Sequence, residues 1–285
     1  MFPIKPHMVF TAQHITTVYR KLLTNWGKCR YGVIPLGLTV GKTKYSQFHQ
    51  SIQSNCPHFA DHINLATNKQ VRKISMASAQ ALAGAVPQSY DYFLVLDFEA
   101  TCERGQKIDP QEIIELPVLK VNGKTFETEA IFHQYVQPMV HRELSSFCTE
   151  LTGIVQDMVD GQPDIKETLK SLDAWMASQG LLNKETKSIF VTCGDWDLKT
   201  MLPGQCRYFN IKPAGYFSQW INIKRSFCDV MGDWPKGMMP MLEKLGIKHE
   251  GRHHSGIDDC KNIAKILKGL ASKAYVFKAT GHIQR

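Results

Sequence analysis

A run of five apolar residues, Tyr92 to Leu96, ends directly in Asp97-Phe98-Glu99. A continuous apolar run of this length is typical of a central strand that is covered on both faces. In an extended chain residues i and i+2 point to the same side, so both carboxylates lie on one face at the C-terminal end of the strand. Open α/β sheets bind ligands at this end, and two like charges so close together are tolerated when a divalent cation lies between them. An isolated D-x-E pair is more often a solvated strand end, so a site here needs further acids.

The segments that follow predict an α/β fold with a mixed sheet flanked by helices. Residues 112–121 and 125–135 are predicted as two strands of a hairpin, because Asn122-Gly123 lies between them. Residues 188–192 predict a further strand. Caps and apolar spacing predict helices over residues 164–176, 194–202 and 257–270. Strands that come first, followed by alternating strand and helices, indicate this fold class.

A second group of acids follows the strand predicted at residues 188–192. Asp195 and Asp197 come after Gly194, where the chain turns into a helix. Asp195 is as well explained by a helix N-cap as by a functional role. Asp197 is followed by Leu198 and Leu202 at helical spacing, which places its carboxylate on the first turn and directs it toward Asp97 and Glu99. Asp197 is therefore the better metal-ligand candidate.

A third group lies where the long helix predicted at residues 257–270 begins: His254 is on the loop before it, and Asp258 and Asp259 are in its first turn. Adjacent residues on a helix point about 100° apart, so only one of the two acids can enter a common site. His253 is interpreted as a surface neighbour of His254. A histidine followed five residues later by an aspartate is not specific for any function, and capping of the long helix is the simpler explanation of these acids.

Together the three groups provide four carboxylates and one imidazole. Carboxylate-rich sites suit Mg²⁺ or Mn²⁺, and two such ions can hold a scissile phosphate between them. The pKa of a histidine side chain suits it to act as general base toward an attacking water near neutral pH. The eight cysteines include no C-x-x-C pair, so neither a cysteine zinc module nor a disulfide framework is predicted.

The order of these motifs resembles that of the DEDDh 3′-to-5′ exonucleases, which share the ribonuclease-H-like fold. Four longer strings resemble the enhanced-RNAi exoribonuclease family in particular, and the resemblance extends over about residues 90–280. These strings are Leu96-Asp-Phe-Glu-Ala-Thr-Cys102, Phe147-Cys-Thr-Glu-Leu-Thr-Gly-Ile154, Gln219-Trp-Ile-Asn-Ile-Lys224 and Gly256-Ile-Asp-Asp-Cys-Lys-Asn-Ile-Ala264.

The resemblance implies a role for each motif residue. The metal ligands would be Asp97, Glu99, Asp197 and Asp259, binding two Mg²⁺ ions that Mn²⁺ can replace, and His254 would be the general base. Glu99, Ala100 and His254 would hold the terminal nucleotide of an RNA with a free 3′ end, and residues 149–154 would line the approach. Trp196 and Trp220 are candidates for base stacking, although both lie beside apolar residues, which favours core packing.

The basic charge of the chain lies almost wholly in its first third. Residues 1–90 contain ten Lys and Arg against one acid, Asp61, whereas residues 91–285 contain 24 against 25, although the whole chain has a formal charge of +8. The segment 1–89 therefore has the composition of a disordered basic arm or of a transit peptide, and residues 90–285 are predicted as the exonuclease domain. We predict an intracellular protein without a membrane span, in the cytoplasm or nucleus, with mitochondrial targeting as the alternative.

The sequence alone leaves two other functions open. A DNA exonuclease of the same class would use the same metal ligands, because contacts to the 2′-hydroxyl decide between RNA and DNA. A catalytically inactive adaptor would use the fold to bind RNA or an unidentified protein partner. The presence of the expected residue type at all five catalytic positions argues against the adaptor.

Overall fold

The computed structural model describes residues 86–283, which form seven strands and the helices around them. The strands are β1 (Tyr92–Leu96), β2 (Glu99–Ala100), β3 (Ile113–Asn122), β4 (Thr128–Tyr135), β5 (Ser188–Thr192), β6 (Gln219–Asn222) and β7 (Gly281–His282). The α-helices are α1 (Ser146–Thr152), α2 (Gln156–Val159), α3 (Ile165–Ser178), α4 (Leu202–Tyr208), α5 (Ile223–Met231), α6 (Met238–Lys244) and α7 (Gly256–Ala271). A π-helical turn, Asp197–Met201, leads into α4, and a 3₁₀ turn, Gly215–Ser218, precedes β6.

The strands form one mixed sheet in which β1 occupies a central position. β1 pairs antiparallel with β3 and parallel with β5, and β6 continues the parallel part. β4 and β7 pair antiparallel at the two ends of the sheet. β2 follows β1 along the same edge of β3, since Leu96 lies opposite Val118 and Glu99 lies opposite Glu115. The predicted mixed sheet flanked by helices is confirmed.

Alternating side chains of β1 supply two separate cores on the two faces of the sheet. Phe93 and Val95 pack into a cluster with α5, α6 and α7, while Leu94 and Leu96 pack into a second cluster with α3 and α4. All four side chains are essentially inaccessible to solvent. Asp97 and Glu99 continue the alternation of Phe93 and Val95, so both carboxylates lie on the face that α7 covers.

The pairing of β1 and β2 with β3 is interrupted at one point, which is where the first acid lies. Continuing the register of β1 places Asp97 opposite Pro117, which has no N–H to donate to the ladder. The start of α7 approaches this gap closely. A Cβ atom on Gly256 would lie 2.7 Å from the carbonyl oxygen of Asp97 and 3.0 Å from Oε2 of Glu115. A glycine at the start of α7 therefore allows this helix to approach the end of β1.

Two predicted boundaries differ from the observed ones. The return strand of the hairpin begins at Thr128 instead of residue 125, because the connection is longer than the two-residue turn that Asn-Gly favours. The Asn122 side chain accepts hydrogen bonds from the N–H groups of Lys124 and Thr125, and Phe126 turns into the core at φ 56° to stack on Phe93. The helix predicted over residues 194–202 is in fact the π-helical turn followed by α4.

The predictions for residues 1–85, including the basic arm and the targeting segment, lie outside the described residues. Gln88 lies inside the described part and is bonded to the C-terminal region, donating to the carbonyl of Tyr275 and accepting from the N–H of Phe277. Between residues 86 and 283, every helix is too short or too polar to cross a bilayer.

Candidate active site

The five residues predicted to carry the chemistry line one pocket of about 330 Å³. Asp97, Glu99, Asp197, His254 and Asp259 all contribute to its wall. They come from the end of β1, from β2, from the π-helical turn after β5, and from the segment that begins α7. The pocket lies where β1 and β5, which run parallel, both end.

Asp197 is joined directly to the backbone between the first two acids. Its Oδ1 accepts a hydrogen bond of 3.0 Å from the N–H of Phe98. Gly194, at φ 139°, allows the sharp turn from β5 into the π-helical turn. Asp195 points elsewhere, with its Oδ1 accepting from Nε1 of Trp220 at 2.9 Å and its Oδ2 lying 3.6 Å from Nη2 of Arg225. The structure thus places Asp197 in the pocket and gives Asp195 the role of holding Trp220.

Asp258 and Asp259 are separated in the way that helix geometry requires. Asp258 accepts hydrogen bonds from the N–H of Arg252 at 3.0 Å and from Nζ of Lys261 at 2.8 Å, so it fixes the loop before α7. Asp259 is 4% exposed, lines the pocket and accepts from the N–H of His254 at 3.0 Å. Of the two adjacent acids, Asp259 is therefore the one available to the pocket.

His254 lies at the mouth of the pocket in a constrained backbone conformation. Its φ of 64° is uncommon for a residue with a side chain and is held by the hydrogen bond from its N–H to Asp259. Ligand atoms of Glu99, His254 and Asp259 all lie within 4.8 Å of one another. Partial burial, followed by the neighbouring His253, lowers the pKa of His254, so its ring is neutral at pH 7 and one nitrogen is free to accept a proton.

Glu115 is a buried acid beside the pocket that the sequence reasoning did not single out. It lies on β3 at 1% exposure and accepts hydrogen bonds from the N–H groups of Gly256 at 2.9 Å and Ile257 at 3.2 Å. Nε2 of His133 lies 2.7 Å from its Oε1. The carboxylate therefore fixes the first turn of α7, where the helix dipole favours negative charge. An acid with apolar residues on both sides in a predicted strand is the sequence signal that could have identified it.

The carboxylates of the pocket repel one another in a poorly solvated space. Burial first, then Glu115, Asp259 and Asp197, raise the pKa of Glu99 to about 9. Burial and then Asp197 hold the pKa of Asp97 well above its usual range. Burial also raises the pKa of Asp197, to about 6, and that of Asp259. Within residues 86–283, Asp97, Glu99 and Asp197 form no ion pair with Lys or Arg, so this donor set fits a divalent cation.

These shifts predict how pH affects the stability of the metal-free protein. Because Glu99 binds its proton more tightly when folded (pKa about 9) than when unfolded (about 4.5), the folded state holds more protons between these values. The free energy of unfolding should therefore fall as pH rises through this window. A divalent cation such as Mg²⁺, if held by the deprotonated carboxylates, should raise the melting temperature more at pH 9 than at pH 6.

Differential scanning fluorimetry across this pH range, with and without Mg²⁺, measures both effects. Glu99→Gln is the matched variant, and it should flatten the pH dependence of the metal-free protein. A Mg²⁺-induced shift that is the same at pH 6 and pH 9 would contradict the prediction.

The remaining candidates divide between the pocket wall and the core. Ala100 and Leu151 line the pocket, the latter within the segment 149–154 that was expected near the approach. Trp196 also lines it and is 40% exposed, which suits a base-stacking surface. Trp220 is 1% exposed and packs in the core, so the stacking hypothesis is wrong for this residue. Gln111 and Met238 also line the pocket, and no sequence pattern singled them out.

The fold and the carboxylate pocket are of the kind found in the ribonuclease-H-like class, and comparison with known proteins gives the family. The exonuclease family model matches residues 94–267, which include all five site residues. The chain belongs to the exonuclease family. The nuclease domain of 3′hExo, described as a DEDDh family member bound to rAMP, superposes with a TM-score of 0.66 at 37% identity, covering 70% of this chain and 100% of that one. The DEDDh exonuclease family is metal-dependent.

Sequence relatives are named as exoribonucleases. ERI1 exoribonuclease 3 of Homo sapiens is 57% identical over 218 residues, which cover 76% of this chain and 64% of that protein. The 3′-5′ exoribonuclease 1 of Mus musculus is 45% identical over 181 residues, covering 62% and 52% respectively. The chain therefore matches less than two thirds of the length of these curated relatives.

Proposed function

We propose that this chain is a metal-dependent 3′-to-5′ exoribonuclease that hydrolyses RNA from its 3′ end and releases 5′-nucleotides. The observation that carries the proposal is the convergence of four carboxylates and one histidine in a single pocket. The preference for RNA is supported by the names of the relatives and by the rAMP in the 3′hExo structure. A further similar structure, with a TM-score of 0.60 and 40% identity, is titled as 3′-end recognition of a histone mRNA stem-loop.

Asp97, Glu99, Asp197 and Asp259 are the residues we propose to hold two Mg²⁺ ions, which Mn²⁺ can replace. Their burial and raised pKa values make them costly to ionise together unless cations neutralise them. When bound, two such ions supply Lewis-acid charge that polarises the scissile phosphate and stabilises the leaving 3′ oxygen.

His254 is proposed to accept the proton of the attacking water. The pKa of its ring is lowered, so the nitrogen that takes the proton is free at neutral pH. The hydrogen bond from its backbone N–H to Asp259 ties the position of the base to that of a proposed metal ligand. Arg252, two residues earlier, anchors the same loop by donating from Nη2 to the carbonyl of Glu150 at 2.6 Å.

The terminal nucleotide is proposed to lie against Glu99, Ala100 and His254, with its base near Trp196. Trp196 offers a half-exposed ring at the pocket wall, and Leu151 provides an apolar surface on the side of α1. Stacking on such a ring is tolerant of sequence because every base has a π-face. This arrangement suits an enzyme that removes nucleotides one after another.

The exonuclease domain is proposed to span residues 90–285, with residues 1–89 as a basic arm that adds salt-sensitive binding to long RNA. Imaging this segment fused to a fluorescent protein distinguishes mitochondrial targeting from a cytoplasmic or nuclear location.

Degradation of 3′-labelled RNA and DNA oligomers of the same sequence tests the function. With Mg²⁺, release of 5′-nucleotides should be faster from RNA, and a chelator should abolish it. Faster release from DNA would favour the DNA exonuclease. No release from either substrate under these conditions would support the inactive adaptor.

Replacing His254 with alanine should reduce kcat on the RNA oligomer by roughly 10²- to 10⁴-fold, the usual contribution of a positioned general base. The Mg²⁺-induced rise in melting temperature should persist, since the four carboxylates remain. His282→Ala, at an exposed histidine of β7, is the control and should leave kcat unchanged. Equal kcat values for His254→Ala and the unmodified protein would exclude the assigned role.

A further inference from the structure

A second group of potential metal ligands consists of His249, His253 and Asp259, of which His253 and Asp259 line the catalytic pocket. Each offers one ligand atom, and these atoms all lie within 4.8 Å of one another. Nδ1 of His253 is already 3.2 Å from Oδ2 of Asp259. His249 lies outside the catalytic pocket, in a neighbouring one lined by α6 residues such as Met239 and Leu242. The group thus extends from a proposed catalytic ligand to a histidine that the proposed reaction does not use.

The ring of His249 supplies an independent indication of a ligand. Its Nε2 is buried and has no hydrogen-bond partner among the described residues. Buried polar atoms are almost always bonded, so this ring nitrogen is available to a metal ion, another ligand or a water molecule. The rings of His249 and His253 are 6.2 Å apart between centroids and nearly perpendicular.

The donor set differs in kind from that of the catalytic carboxylates. Two imidazoles and one carboxylate suit Zn²⁺ and similar transition metals, whereas Mg²⁺ prefers oxygen ligands. A tetrahedral Zn²⁺ with bonds of about 2 Å places neighbouring ligand atoms roughly 3.3 Å apart. The contact of His253 with Asp259 has nearly this length, and His253 is exposed enough to turn toward His249.

We propose that His249, His253 and Asp259 form a site for Zn²⁺ or a related transition metal ion, with water in the fourth position, and that its occupation inhibits RNA hydrolysis. The inhibition follows because Asp259 is shared: a carboxylate engaged by Zn²⁺ is withdrawn from the catalytic group. The inhibitory effect rests on the proposed function, whereas the binding of the metal does not.

Two experiments on the full chain test binding, each with excess Mg²⁺ present. In the first, Co²⁺ is titrated into the protein and then displaced with Zn²⁺. In the second, the binding of Zn²⁺ alone is measured by calorimetry. Co²⁺ should give the intense visible absorption of a tetrahedral site. His249→Gln should weaken Zn²⁺ binding at least about tenfold, because it removes a ligand. His282→Gln is the matched control and should bind as the unmodified chain does. Unchanged Zn²⁺ affinity in His249→Gln would overturn the site.

A second variant and an activity measurement complete the test. His253→Gln should lose Zn²⁺ affinity to a similar degree, which preserves the test if His249→Gln has a lowered melting temperature. In the RNA assay with Mg²⁺, Zn²⁺ should inhibit the unmodified chain, whereas His249→Gln should keep the full rate and need at least about tenfold more Zn²⁺ for inhibition. Equal inhibition of both proteins would overturn the regulatory role. Zn²⁺ binding through His249 in a chain that does not hydrolyse RNA would overturn the proposed function alone.

Discussion

Replacing Asp97 with asparagine should reduce the rate of RNA hydrolysis in Mg²⁺ at least about a thousandfold. The charge that bound metal ions place on the reacting phosphate contributes several kcal/mol to the transition state, and each 1.4 kcal/mol changes the rate about tenfold. The same variant should melt at a higher temperature than the unmodified chain when no divalent ion is present. Its amide cannot ionise, whereas the carboxyl of Asp97 must either take up a proton or carry a buried charge, because burial and the carboxylate of Asp197 raise its pKa. Lower activity together with higher stability is the result expected of a residue whose charge serves the reaction.

Asp195→Asn is the matched control for this prediction. It makes the same chemical change two residues before Asp197, in a side chain that bonds Trp220 and does not line the pocket. The asparagine oxygen can still accept the Trp220 hydrogen bond, so the rate should stay within a few-fold of the original. Single-turnover rates and melting curves of the two variants provide the comparison. A loss of rate in Asp195→Asn as large as that in Asp97→Asn would contradict the assignment of the metal ligands.

Replacing Glu115 with alanine should lower the free energy of unfolding by about 3 kcal/mol in saturating Mg²⁺. The substitution leaves the buried N–H of Gly256 and the partly buried N–H of Ile257 without an acceptor, and it also removes the partner of His133. Removing Glu115 also relieves its repulsion with Asp97 and Glu99, which would offset part of the loss of stability. Mg²⁺ is included because it neutralises these carboxylates and so reduces that offset. The first turn of α7 carries Asp259 and follows His254, so kcat should fall with the stability.

Glu143→Ala is the control for Glu115→Ala, because Glu143 is exposed on the loop before α1. Urea unfolding should give nearly the same free energy for Glu143→Ala as for the unmodified chain. The free energy of unfolding of Glu115→Gln should lie between those of Glu115→Ala and the unmodified chain, since the single amide oxygen of glutamine can accept a hydrogen bond from one of the two helix N–H groups. A Glu115→Ala protein as stable as the Glu143→Ala protein would show that the start of α7 is held by other contacts.

Much of the fold was predictable because burial leaves a local pattern in the chain. The apolar run of β1, the long apolar stretch of β3 and the spacing of α7 each indicate an element without reference to the rest of the molecule. The short strands β2, β6 and β7 were not predicted. They contain two to four residues each, so too few side chains alternate to give a period, and their pairing partners are distant in the sequence.

The candidate site was only partly predictable for a related reason. The sequence shows that Asp97 and Glu99 share a face, because that follows from the geometry of one strand. The choice of Asp197 and of Asp259 rested partly on spacing and partly on the resemblance to a family, since each has another acid of the same type close by. The structure separates them by their partners: Trp220 and Arg225 engage Asp195, while Arg252 and Lys261 engage Asp258.

By itself the sequence determined the α/β class, the central strand and the acids at its end, because these depend on the alternation and hydrophobicity of neighbouring residues. Only the tertiary structure decided which acids meet in the pocket, that Glu115 holds the start of α7, and that Trp220 lies in the core while Trp196 faces the pocket. These outcomes depend on contacts between residues far apart in the chain. An N–H group close to a carboxylate stabilises its charge, whereas a second carboxylate close to it raises its pKa. Which of the two lies close depends on distances in space, and the order of residues does not specify them.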